Sequence, residues 1–217
     1  PAAISVWLDY LWRLASQDAD DHIGIARNAR LKKIEAGICQ QILRRTYARM
    51  RRELANVPHE IPDQQELRRL AAPYFHSRLT GGEGDMLIGK ALWSYHHKKT
   101  HMTCELSPYS CMPNTMSIGA MAAVTGKYPD LLYAPLEIKG DSEVHALSRC
   151  QMILTEAKRR AQSEFEQVLQ STRLTTDDIR NLQHDFPETR RATGYIPHLG
   201  VAGTAANLAL YLHGKKR

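Results

Sequence analysis

Apolar residues along this chain recur at helical spacing over most of its length, and at strand spacing only twice. Ile4, Trp7, Leu8, Leu11 and Leu14 recur every three or four residues, which predicts a helix over 3–16 with these side chains on one face. The polar run Gln17 to Asp21 predicts a break after it. Leu31, Ile34, Ile38 and Ile42, followed by Tyr47, Met50 and Leu54, keep the same spacing and predict a long helix from Ile23 to Ala55. Gly24 and Gly37 interrupt its regularity, and Pro58 and Pro62 close it. Asp63 reads as an N-cap for a short helix through Ala72, stopped by Pro73.

The middle of the chain changes character. Thr80 to Asp85 holds three glycines and reads as a loop, with Asp85 capping a helix from Met86 to His97. A strand over 102–106 leads through Pro108-Tyr109-Ser110-Cys111-Met112-Pro113 into a helix over 114–124. A second strand over 131–138 is followed by a long helix over 142–170. This order is a β-α-β unit with parallel strands. Thr175 or Thr176 caps a further short helix, 189–200 is irregular, and Val201 to His213 is a last apolar helix. The expected fold class is therefore α/β: a helix-rich domain with a small parallel β-α-β sheet and a long N-terminal helix. The expected organisation is a helical region over 1–72, an α/β segment over 73–172 and a helical extension over 173–217.

Composition narrows the setting. The chain has 217 residues, long enough for one sizeable domain or two small ones. No apolar run reaches the roughly 20 residues that a membrane-crossing helix needs. The start at Pro1 suggests a piece of something larger. Four cysteines, Cys39, Cys104, Cys111 and Cys150, are too sparse for a disulfide scaffold, so a cytoplasmic, reducing location is expected. The net charge of +6 is uneven: nine Arg and Lys residues crowd 27–52. That run suits nucleic acid or a phosphorylated cofactor such as coenzyme A. Only Tyr47 interleaves with these charges, so the solvated face of a long helix is the favoured reading over nucleic acid.

The candidate chemistry centres on Cys111. Ligands of open α/β sheets sit beyond the carboxyl ends of the strands. Two loops should meet there, one with Ser107, Ser110, Cys111 and Asn114, the other with Lys139, Gly140, Asp141 and Glu143. The helix after Cys111 would turn its free N–H groups toward this edge, favouring a thiolate or a thioester oxygen. The rival reading is a small buried core cysteine. Two other patterns are weak. The glycine loop lacks the Gly-Lys-Ser/Thr of a phosphate loop. His97, His101 and Cys104 have zinc-like spacing, but Lys98-Lys99-Thr100 reads as a helix end between them.

Several of these segments together resemble a known family. Gly82-Glu83, Leu87-Ile88-Gly89-Lys90-Ala91, Ser107 to Pro113, and Asp141-Ser142-Glu143 with Arg149 are similar to the C-terminal region of activase-related proteins of the 2-hydroxyacyl-CoA (2-hydroxyglutaryl-CoA) dehydratase system. The likeness spans roughly 74–157. It implies a module of anaerobic metabolism, not active alone, that works with an upstream ATPase/activase domain or a dehydratase subunit. It implies an iron–sulfur context, a 4Fe-4S cluster and electron transfer to a coenzyme A thioester. Cys111 matches the family cysteine and is the implied metal ligand, with Cys104 as a second candidate; Ser110 and Asn114 would lie at the cofactor. Glu83, Asp141 and Arg149 match motif positions and are the catalytic candidates. The chain departs from the family pattern at Tyr109, usually Phe, and Asn114, usually Gly. It carries no ATP-binding motif. A cluster wants three or four thiolates, so this chain would supply one ligand to a site completed elsewhere. The alternatives are a partner-interaction module without cofactor, or nucleic-acid binding through the arginine-rich helix.

Overall fold

The computed structural model describes residues 4–79, 82–140, 143–191 and 193–215. It shows the helix-rich α/β fold with a two-stranded parallel sheet. Two helices open the chain, α1 (Ile4–Asp21) and α2 (Ala29–Glu53), packed on one another as a hairpin. The helix α3 (Gln64–Ala71) follows, started by the Asp63 carboxylate, which accepts from the Gln65 N–H at 3.1 Å. Next come α4 (Gly84–His96), β1 (Thr103–Pro108), α5 (Met112–Lys127), β2 (Tyr133–Ile138) and α6 (Glu143–Thr172). The chain ends with α7 (Thr176–Asp185), a 3-10 turn over Pro187–Arg190, and α8 (Thr204–Lys215). Thr175 starts α7 through a reciprocal capping box with Asp178.

The expected helices differ most at the ends of the first two. α1 does not break at Gln17 but runs on to Asp21, because nothing from Gln17 to Asp21 lacks an N–H or favours positive φ. Instead, Gln17 is held by Arg13 and by the Ser77 carbonyl, and Asp21 pairs with Arg78. The chain then turns at Gly24, whose φ of 92° a side chain would resist, so α2 begins at Ala29 rather than Ile23.

The apolar stripes of these two helices are not the faces that are buried. The α1 residues under cover are Val6, Asp9, Tyr10, Arg13 and Ala19, while Ile4 is exposed and Trp7, Leu8 and Leu11 are more than a third exposed. The buried polar side chains satisfy one another across elements. Asp9 accepts from Arg44 at 2.7 and 2.9 Å and from Gln40 at 3.1 Å, joining α1 to α2. On α2, Leu31, Ile34, Ile38 and Ile42 stand in solvent at 55–66 % exposure. The small residues Ala29 and Ala36, on the opposite side, are the ones packed inward.

The core lies elsewhere. Ala71, Phe75, Ile88, Leu92, Met121, Val124 and Leu131 form one cluster between α3, α4, α5 and the sheet. Val6, Tyr10, Leu67 and Met86 extend it toward α1. A second cluster, around Val168, Ile179, Ala209 and Leu212, ties α6, α7 and α8. Burying each large aliphatic residue stabilises the fold by about 1.5–3 kcal/mol. Gly89 lets α4 lie directly on α3, since a β-carbon there would overlap the Leu67 carbonyl. In the sheet, Thr103 pairs with Tyr133 and Pro108 with Ile138, so the strands end together. Glu105 and Ser107 face α5; Cys104 shares the other face with Ala134 and Leu136, toward α6.

Candidate functional site

The strand ends form an edge where two loops meet. The Tyr109 N–H donates to the Ile138 carbonyl at 3.2 Å, and the Lys139 ammonium lies 3.6 Å from the centre of the Tyr109 ring. The cysteine loop and the lysine loop therefore open on the same side, as parallel neighbours must. Beside them, Leu136, Glu137, Lys139, His145, Ala146 and Arg149 line a hollow of about 220 Å³. Arg149 thus stands at this mouth, on the second turn of α6. Asp141 lies outside the described residues.

Cys111 occupies the N-cap position of α5 with an extended backbone (φ −67°, ψ 114°). It is partly exposed, so the rival of a buried core cysteine does not hold. Its conformation is set on each side. Ser110 takes a positive φ of 61°, which makes the turn, and Pro113 sits in the first turn of α5, where a missing N–H costs nothing. The Thr115 N–H donates to the Cys111 carbonyl at 2.9 Å. The Cys111 side chain makes no capping bond, so its sulfur is free of that duty. Tyr109, Met112 and Ile138, each at least half exposed, surround the turn with apolar surface.

Two supports hold this turn. The first comes from the glycine loop. A β-carbon on Gly82 would overlap the Pro113 ring, so loop and turn are in direct contact. The Tyr10 hydroxyl donates to the Gly82 carbonyl at 2.8 Å. Close by, Arg13 pairs with Asp85 at 2.6 Å, both side chains 3 % exposed. Asp85 was expected to cap α4; instead its carboxylate is drawn inward by Arg13, and Glu83 holds the N-cap position without a side-chain bond. Glu83 is half-buried at the base of the loop that touches Pro113. Burial, and then the Asp85 carboxylate, push the Tyr10 phenol well above its ordinary value.

The second support comes from the sheet. Glu105 is buried and accepts from the Asn114 amide at 2.8 Å, the Ser117 hydroxyl at 2.5 Å and the Tyr133 hydroxyl at 2.6 Å. The carboxylate thus grips the first two turns of α5 from below. Asn114, the candidate cofactor contact, is buried and spends its amide on this grip. Burial and the hydrogen bond to Glu105 push the Tyr133 phenol far up. Nothing in the spacing of the sequence marked Glu105; its period-two position on the α5 face was the only available signal. Ser107, on the same face, is 2 % exposed, and its hydroxyl has no hydrogen-bond partner among the described residues. That leaves an unspent polar group beside the strand end.

The remaining candidates separate. Cys104, mid-strand, faces α6, and partial burial followed by the neighbouring Cys150 thiol push its own thiol up. It is turned away from the face that holds Glu105 and Ser107. Cys150 is half-buried against it rather than in the core. His97 bonds Glu66 and His101 bonds Glu164, and α4 ends at His96, before both, so zinc-like spacing does not become zinc-like geometry. Among the described residues no three His, Cys, Asp or Glu side chains are grouped as a metal site would require. The donor set at the mouth fits one thiolate ligand and does not fit a self-contained cluster. Among the described residues no helix is long and apolar enough to cross a membrane. Compared with protein-family models, curated proteins and solved structures, the chain matches none, so the functional reading rests on these residues.

Proposed function

We propose that this chain is a module of a 2-hydroxyacyl-CoA dehydratase activase-related system that presents Cys111 as a single thiolate to a 4Fe-4S cluster completed by a partner. The observation that supports this most is the braced, partly exposed Cys111 turn with its apolar rim. A sulfur held by Gly82 on one side and Glu105 below, and ringed by Tyr109, Met112 and Ile138, suits a surface that a second polypeptide closes. The partner is the upstream ATPase/activase domain or a dehydratase subunit. A cluster held there would supply one-electron reduction of a coenzyme A thioester. The chain's own residues contribute position and charge. Lys139 and Arg149 set positive charge beside the mouth, which suits an anionic acyl-CoA. Asp141 and Glu83 remain the acidic candidates of this reading, and the module works in a cytoplasmic, reducing compartment.

The test is anaerobic iron reconstitution of the chain with its activase or dehydratase partner, comparing the native chain with Cys111→Ser. The expected result is visible charge-transfer absorption in the native complex that is lost or shifted in the variant. Equal iron and an unchanged spectrum with Cys111→Ser would sink the ligand role.

A second reading, an interaction module without cofactor, draws on α2. Its outer face carries Leu31, Ile34, Ile38 and Ile42 in solvent, and Arg45 and Arg49 continue the same face. A partner on that face is compatible with either reading. Nucleic acid bound there would dissociate steeply with salt; several of the arginines are already committed, Arg44 to Asp9 and Arg51 to the Pro58 carbonyl and Glu60.

A further inference from the structure

A cleft larger than the hollow at the cysteine mouth lies elsewhere. It measures about 340 Å³ and opens between the α2–α3 loop, the end of α4 and the loop before α8. His59, Trp93, Lys99 and Tyr195 line it, with Arg51 at its side. Gly82 precedes the first turn of α4, and Trp93 lies toward the other end, about 15 Å further along the helix axis. The cleft is therefore separate from the Cys111 turn.

Its charge is unbalanced. The Lys90 ammonium lies 4.2 Å from the centre of the Trp93 ring, and the Lys99 ammonium 5.8 Å from it. Both lysines are half-buried. Among the described residues neither forms an ion pair with a carboxylate. The acids nearby are already engaged: Glu60 with Arg51 at 3.3 Å, and Glu66 with the Trp93 N–H at 3.2 Å and His97 at 2.8 Å. The cations act on one another. Burial and then Lys99 hold the Lys90 ammonium down at about 8, and burial followed by Lys90 and Lys99 lowers His59. A fold that gathers cations around an indole whose neighbouring carboxylates already have other partners has a potential that an anion relieves.

We propose that this cleft binds a small phosphomonoester with a planar body, its dianionic phosphate held by Lys99 and His59 of the cleft wall, with the Lys90 ammonium beside Trp93 adding charge, and its body resting between Trp93 and Tyr195. Two lysines and a histidine call for more than one negative charge, which favours a phosphomonoester over a monocarboxylate. The volume suits a ligand with one ring and one phosphate, since sites for small molecules begin at about 300 Å³.

Pyridoxal 5′-phosphate is a direct probe, because it carries a phosphate, a planar ring and an aldehyde. An uncharged lysine amine condenses with the aldehyde, releasing water, and borohydride adds hydride to the imine to fix the label. Peptide mapping is expected to find Lys90 labelled ahead of the other lysines, with inorganic phosphate protecting it. Lys99→Gln, at a half-buried site, should leave the thermal melt unchanged and raise the protecting phosphate concentration about tenfold, the loss of one charge-assisted contact. Lys90→Met should abolish the phosphate-sensitive label. Labelling spread evenly over surface lysines, or Lys90 labelling that phosphate does not reduce, would overturn the proposal.

Discussion

Two buried carboxylates flank the Cys111 turn, and they are neutralised in opposite ways. Asp85, behind the glycine loop, has a full counter-ion in Arg13. Glu105, beneath α5, has no cation among its hydrogen-bond partners; it is held by an amide and two hydroxyls. The ion pair joins α1 to α4, elements distant in sequence, and so secures the loop that touches Pro113. The neutral grip joins β1 to α5 and β2 and shapes the strand-to-helix turn itself. An ion pair tolerates small shifts because charge acts over distance. Three short hydrogen bonds tolerate little. The Glu105 side should therefore govern the geometry of the turn, and the Arg13 side its stability.

The largest expected effect is on the ion pair. Arg13→Met strands a buried carboxylate and should cost about 3–5 kcal/mol in urea unfolding, most of it recovered when Asp85→Leu is added. Recovery failing in the double variant would show that Arg13 acts through Gln17 and Tyr10 instead. Next, Gly82→Ala meets both a positive φ of 100° and the Pro113 ring, and should cost about 1–3 kcal/mol. It should also quicken Cys111 modification by a thiol reagent, since the turn loses its lateral support.

Glu105→Gln keeps the shape but sets amide hydrogens against the donors of Asn114, Ser117 or Tyr133. A loss of about 1–3 kcal/mol is expected, smaller than that of Arg13→Met yet with a larger change in Cys111 reactivity per unit of stability. Equal reactivity changes in the two variants would erase the contrast drawn above. The smallest effect is on pH. The Tyr10 and Tyr133 phenols are raised in the folded chain and titrate near 10 when unfolded. Their contribution is fully present below about pH 10 and falls as pH rises toward their folded values. Ultraviolet titration of the folded chain should leave these two phenols silent until the alkaline unfolding step, and Tyr133→Phe should soften that step.

Much of the fold was legible in the chain. The Asp63 cap, the Thr175 cap (one of the two threonines expected), and the strand–turn–helix around Cys111 all formed where short-range chemistry placed them. The parallel sheet followed from the order of elements. The candidate site was half legible. Cys111 is at the edge, and the loops of Tyr109 and Lys139 do meet. Glu105 was not visible, because a single acid in a short strand has no local signature of its partners, which come from positions 9 to 28 residues away.

Local pattern, in short, was enough to say which segments become helices, strands and turns, because caps, prolines, glycines and spacing act within a few residues. It could not say which apolar stripe becomes core. Ile88 and Leu92 are buried and Leu31, Ile34, Ile38 and Ile42 are not, although their spacing is alike. A stripe is removed from water only where another surface lies against it. On α1 that surface took in Asp9, Tyr10 and Arg13 as well, because Arg44, Gly82 and Asp85 arrived from far along the chain to satisfy them.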